Sequence, residues 1–263
     1  MQIKEVAETL ERFAPLPLQE SYDNAGLQIG LTETEVSRVL LCLDVTEDII
    51  REAHERGCNL IVSHHPLLFR GVKCVSDANY VQRCIRMAVQ HDIAIYSAHT
   101  NLDNARGGVN WMIAEKLGLH DCTFLLPQPG GEGGSGLIGT LPEAEEPEAF
   151  MQRVAATFDV ECLQTNRGPR RAIKTVALCG GAGDFLIDNA IAKGADAFLT
   201  GEMHYHQYFG LENTIWVAAL GHYQSEQYTI QLLHRILAAA HPQLPILETA
   251  QSTNAIHYIY TRA

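Results

Sequence analysis

Apolar residues recur at helical spacing over residues 3–13, and the next strong signal is the unbroken apolar run 39–43. The first pattern predicts an amphipathic helix and the second a buried strand. Alternation then continues with a helix over 47–56, a strand over 60–63, a helix over 78–90, a strand over 93–97 and a helix over 108–117. Strands separated by helices in this way predict a parallel α/β sheet. Beyond residue 142 the pattern restarts: a helix over 147–157, strands over 161–165 and 175–179, a helix over 185–193 and a strand over 197–200. It closes with a strand over 214–220, a long helix from about 224 to 240, and short β segments near Ile246 and over 256–260.

Between Pro127 and Pro142 the chain reads Pro-Gln-Pro-Gly-Gly-Glu-Gly-Gly-Ser-Gly, which favours neither helix nor central strand. The expected organisation is therefore a first lobe over 1–126, a flexible connection over 127–142 and a second lobe over 143–263, with the C-terminal helix and strands able to pack back on the first lobe. The halves also resemble each other. Val39-x-Leu41-Cys42 followed by Gly57 returns as Val176-x-Leu178-Cys179 followed by Gly194, at a constant offset of 137 residues. Either an internal duplication or the general likeness of βαβ units accounts for this, and duplication is the reading adopted. It predicts an α/β fold of two similar lobes with a ligand site in the cleft between them.

Composition narrows the function. The 263 residues carry a formal charge of −12, which opposes the counterion-releasing contacts on which nucleic-acid binding depends. The one basic knot, Arg167-Gly168-Pro169-Arg170-Arg171, reads as a solvated turn. The sequence has no apolar run long enough to cross a bilayer and no apolar leader after Met1, so a cytoplasmic address is expected. Seven cysteines stand singly without a CxxC pair and read as reduced thiols.

The candidate chemistry lies where strands end. Ser63-His64-His65-Pro66 follows the strand over 60–63, and Ala98-His99-Thr100-Asn101-Leu102-Asp103 follows the one over 93–97. Gly221-His222-Tyr223-Gln224-Ser225-Glu226 follows the one over 214–220, with His222 and Glu226 spaced to share a helical face. Singly, His99 could be a core histidine, Asp103 a helix N-cap and Glu226 a solvent-facing residue. Together, three strand-end loops offering imidazole and carboxylate suit zinc, iron, manganese or a similar divalent ion, and an acidic ligand could bridge two of them. Gly180-Gly181-Ala182-Gly183 could cradle a phosphate or simply form a tight strand-to-helix turn.

Read in order, Tyr22-Asp23-Asn24-Ala25-Gly26-Leu27, Asn59 to Leu67, Ser97 to Asp103, Thr200-Gly201-Glu202-x-x-x-His206 and Gly221 to Glu226 resemble the motifs of the NIF-three-like family, many members of which are described as GTP cyclohydrolase 1 type 2 homologues. The resemblance spans nearly the whole chain. It implies two α/β lobes, a dinuclear metal centre and a ring-shaped homohexamer. It further implies His64, His65, Asp103, His222 and Glu226 as metal ligands, Glu226 as the bridge, and His99 and His206 as site-lining residues that move protons. Asp23 and Asn24 match a loop whose Asn contacts the site or holds its backbone. Tyr22 and Glu202 depart from the family's usual Trp and Asp, which weakens any direct catalytic part for Glu202. The implied activity is metal-dependent hydrolysis of a nucleotide or phosphorylated small molecule with two divalent ions per subunit. The alternative is a metal-binding hexameric scaffold or regulatory interaction protein without turnover.

Overall fold

In the computed structural model, which describes residues 1–259, the chain forms two compact units. The first comprises Met1–Ala105 with Thr229–Thr253, and the second Arg106–Tyr228 with the described residues from Asn254 on.

The first unit is built on a five-stranded sheet. Its elements are α1 (Ile3–Phe13), β1 (Gly26–Ile29), β2 (Val39–Cys42), α2 (Glu47–Glu55), β3 (Leu60–Ser63), α3 (Tyr80–Gln90), β4 (Ala94–Ser97) and α4 (Thr100–Asn104). Strands β2, β3 and β4 pair in parallel and are buried at every residue, as expected where helices cover the sheet. Two helix starts are set by side chains that accept from a backbone amide in the first turn: Thr46 from Ile49 at 3.3 Å and Asn79 from Gln82 at 3.0 Å. Leu40, Ile61 and Ile95 of the three strands pack with Ile49, Ile50 and Cys84 of α2 and α3 in one core. β1 joins antiparallel beside β4.

The second unit contains α5 (Val109–Leu117), β5 (His120–Pro127), β6 (Gly134–Glu145), α6 (Pro147–Thr157), β7 (Gln164–Thr165), β8 (Ile173–Cys179), α7 (Ile187–Ala192), β9 (Ala197–Thr200), β10 (Trp216–Ala219) and α8 (His222–Glu226). Its six-stranded sheet has the order β5-β6-β8-β9-β10-β7. Phe198, Val217 and Ala177 pack with Leu186, Ile187 and Ala190 beneath it.

The 137-residue sequence offset is repeated in strand register. In the first sheet Val39 pairs Leu60 and Cys42 pairs Ser63; in the second Val176 pairs Ala197 and Cys179 pairs Thr200. The third parallel strand follows the same rule, with Ser63 opposite Ser97 and Thr200 opposite Ala219. Each parallel trio also carries an antiparallel edge strand, β1 beside β4 and β7 beside β10.

Three sequence expectations are corrected. The 127–142 stretch is not a free connection: β6 begins at Gly134 and runs between β5 and β8, antiparallel to both. Its glycines serve close packing. A Cβ at Gly134 would fall 2.7 Å from the Leu126 carbonyl oxygen, and one at Gly139 would fall 2.7 Å from Cys122 Sγ. The expected helix over 224–240 is two helices, α8 and α9 (Thr229–Ala240), and α9 belongs to the first unit. There it packs on α1, where Thr9 Oγ1 and His241 Nε2 are 2.8 Å apart, and β11 (Ile246–Glu248) adds to β2 in parallel. The segment expected as strand over 256–260 is irregular across 256–259, and Tyr260 lies outside the described residues. No helix among the described residues is long and apolar enough to cross a membrane.

Candidate metal centre

Parallel strands carry their sites at their carboxyl ends, and β3 and β4 of the first unit deliver His64, His65 and His99 there. One ligand nitrogen from each of these three imidazoles lies within 4.8 Å of the others. Their ring centroids are 4.9 Å apart for His64 and His65, 5.3 Å for His64 and His99, and 5.5 Å for His65 and His99. Asp103 is not an N-cap; it lies within α4, its Oδ1 3.6 Å from His64 Nε2.

Each imidazole is held from behind. His64 Nδ1 donates to the Ala98 carbonyl oxygen at 2.8 Å, a pairing that assigns its proton because a carbonyl can only accept. His65 Nδ1 lies 2.7 Å from Asp44 Oδ1, and His99 Nδ1 lies 2.7 Å from Asp23 Oδ1. Holding Nδ1 protonated turns Nε2 into the lone-pair nitrogen, as in histidine ligands braced by a carboxylate or carbonyl.

The two supporting carboxylates are tuned for this work. Burial opposes ionisation of Asp23, but the hydrogen bond and charge of His99, with hydrogen bonds from Thr100 and the Asn24 amide, bring its pKa down to about 2. Burial likewise opposes ionisation of Asp44, and the His65 hydrogen bond and charge, Thr253 and the charge of His64 outweigh it, so its pKa also falls. Asn24 holds backbone: its Nδ2 donates to the Leu68 carbonyl at 2.8 Å, tying the 22–25 loop to the chain that follows His65.

The second unit builds its own donor pair. α8 starts at His222 after Gly221, whose φ of +98° suits glycine and where a Cβ would meet Gln224 Oε1 at 2.3 Å. The helix brings His222 Nε2 within 3.1 Å of the buried Glu226 Oε2. Glu202 Oε1 lies 3.0 Å from His222 Nδ1, so the residue whose catalytic part the sequence put in doubt is a brace on His222.

The Gly180–Gly183 turn is a packing surface for these side chains. Gly180 N–H donates to Asn110 Oδ1, Gly181 N–H to Ser225 Oγ and Gly183 N–H to Thr200 Oγ1, so three amides of the suggested phosphate cradle are already engaged. A Cβ at Gly181 would fall 2.3 Å from Glu226 Oε1 and 3.5 Å from His222 Cε1. His206 lies on the exposed turn Tyr205–Tyr208, its ring 5.2 Å from Tyr205 and 6.0 Å from Phe209 between centroids. It is in none of the metal-donor groups among the described residues.

Sequence reasoning missed Asp44 and did not assign the bracing parts of Asp23 and Glu202. The signal available was positional: Asp44 lies two residues past the end of β2, a strand of the same sheet as the His64-His65 strand. Neutral imidazoles and carboxylates fit a first-row divalent ion, and braced imidazoles fit it better.

The family model described as Duf34/NIF3 (NGG1p interacting factor 3) matches residues 1–255. A Clostridium perfringens protein named GTP cyclohydrolase 1 type 2 homolog is 32% identical over 228 residues, covering 86% of this chain and 87% of its own length. A Streptococcus pneumoniae protein of the same name is 31% identical over 271 residues, covering 98% of this chain and all of its own length. Among solved structures, the Bacillus cereus protein related to NIF3 superposes with a TM-score of 0.87 at 25% identity, over 98% of this chain and 99% of that one. The motif order, the α/β fold with two sheets and these matches agree, and the chain belongs to the DUF34/NIF3 family.

Proposed function

We propose that this chain is a metal-dependent hydrolase in which His64, His65, Asp103, His222 and Glu226 are ligands of a two-metal centre. The observation that carries the reading is the bracing of four imidazoles at Nδ1, by Ala98, Asp44, Asp23 and Glu202. Paired divalent ions supply Lewis acidity and water activation at neutral pH. His64, His65, Asp103, His222 and Glu226 would hold the ions, with Glu226 as the carboxylate that would be shared, and the protein's own part is to engage Nδ1 of each ligand histidine so that Nε2 offers its lone pair. Asp23 fixes the Nδ1 proton of His99, which leaves His99 Nε2 to take and give protons during the reaction.

The substrate class is a nucleotide or related phosphorylated small molecule, by analogy with relatives named GTP cyclohydrolase 1 type 2 homolog. A cytoplasmic, ring-shaped homohexamer belongs to the same proposal. Purified protein supplied with GTP and divalent metal is expected to release formate, and His65→Ala to lose that release. Wild-type turnover no greater than that of His65→Ala contradicts the cyclohydrolase assignment.

A further inference from the structure

Next to the first unit's histidines the chain exposes two large aromatic rings. Tyr22 is 62% exposed and Phe69 is 41% exposed. Their centroids are 6.3 Å apart with the planes at 68°, and Phe69 stands edge-to-face to His99, 6.0 Å away at 85°. Exposed aromatic surface is unfavourable in water, and here it is concentrated beside the side chains that carry the chemistry.

The two loops that carry the rings are fastened together. Asn24 Nδ2 donates to the Leu68 carbonyl at 2.8 Å, and Leu68 N–H donates to Gln28 Oε1 at 3.2 Å. Gln28 Nε2 in turn donates to the Asn24 carbonyl at 2.6 Å. Asp23, the neighbour of Tyr22, is locked to His99 Nδ1 and to the Thr100 amide. The rings are thus set on backbone fixed to the same residues that orient His99, which lowers the ordering cost of binding a ligand against them.

We infer that Tyr22 and Phe69 form an aromatic clamp that receives the flat heteroaromatic ring of the substrate and presents it to His99. This deepens the proposed hydrolase reading by naming the part of the substrate that is recognised. The faces of two rings at a large interplanar angle accept one planar ring by stacking on one face and meeting the other edge-on, an arrangement that tolerates different bases and excludes a bare sugar phosphate.

The test uses metal-loaded full-length protein, with AMP, GMP and CMP as probes and ribose 5-phosphate as the baseless control, in calorimetric titrations. Metal content and sedimentation are recorded for every sample. The expected result is binding of at least one nucleotide tenfold or more tighter than ribose 5-phosphate. Tyr22→Leu and Phe69→Leu are expected each to weaken nucleotide binding about 5- to 150-fold, the range for losing one base–aromatic stack, while ribose 5-phosphate binding stays unchanged. Tyr22→Phe and Phe69→Tyr should keep wild-type affinity. Failure of every nucleotide to bind, equal binding of ribose 5-phosphate, or unchanged nucleotide affinity in both leucine variants overturns the clamp. So does a leucine variant that alters subunit association and leaves nucleotide affinity intact, which assigns the rings to a second copy of the chain. Nucleotide binding that depends on Tyr22 in protein that takes up no metal contradicts the hydrolase reading and leaves the clamp standing.

Discussion

Asp44 Oδ1 lies 2.7 Å from His65 Nδ1, a carboxylate from the segment after β2 gripping an imidazole from the segment after β3. Asp44 also accepts from Thr253 Oγ1 at 2.6 Å, so the carboxylate is itself held. A braced ligand loses less freedom on binding metal and is more basic at Nε2. Asp44→Ala should weaken metal affinity about 10- to 100-fold while leaving the fold intact, as read by competition with a chelator and by circular dichroism. Unchanged affinity removes Asp44 from the site.

Asp23 makes stability depend on acid. Its pKa is about 2 in the folded chain against an ordinary value of 3.8, so its ionised form stabilises the fold above about pH 4, and that contribution is lost as pH falls through about 2. Asp23→Asn should therefore cost about 1–2 kcal/mol at pH 7, with the gap to wild type closing toward pH 2. Denaturant midpoints measured across that range check the sign; a gap that widens in acid contradicts it.

Gly181 is predicted to be intolerant of any side chain. Its φ is +60°, and a Cβ would fall 2.3 Å from Glu226 Oε1. Gly181→Ala should destabilise the protein by about 1–2 kcal/mol through the left-handed backbone alone. It should also displace Glu226 and lower metal content, whereas Gly194→Ala, at φ +72° with nothing within 4 Å, should show the backbone cost without the metal loss. Thermal melts paired with elemental analysis separate the two effects.

Gly134 tests the β6 correction. Alanine there meets the Leu126 carbonyl and Phe124 side chain at 2.7–2.9 Å, so Gly134→Ala should cost about 1–3 kcal/mol by overpacking. A flexible connection would accept the change freely, and an unaltered denaturation midpoint would point to that.

Sequence patterning was most informative where one face or a whole strand is buried. The helices Ile3–Phe13 and Pro147–Thr157 and the strands Leu60–Ser63 and Ala197–Thr200 fall at their expected bounds, because periodicity and apolar runs report burial directly. β6 escaped, since glycines that permit close strand contact look the same in sequence as glycines that loosen a loop. The site residues divide in a similar way. His64, His65 and His99 are conspicuous because imidazoles rarely follow apolar strands in series. Asp44 and Glu202 are ordinary surface-type residues until folding brings them to His65 and His222.

Whether the braced histidines hold metal is read most directly from metal content per chain, by elemental analysis. Wild-type protein loaded with divalent metal and then desalted is predicted to retain close to two ions per chain, and His64→Ala and His65→Ala to retain fewer while keeping the wild-type circular dichroism spectrum. Metal content at the wild-type level in both variants would show that neither histidine is a ligand.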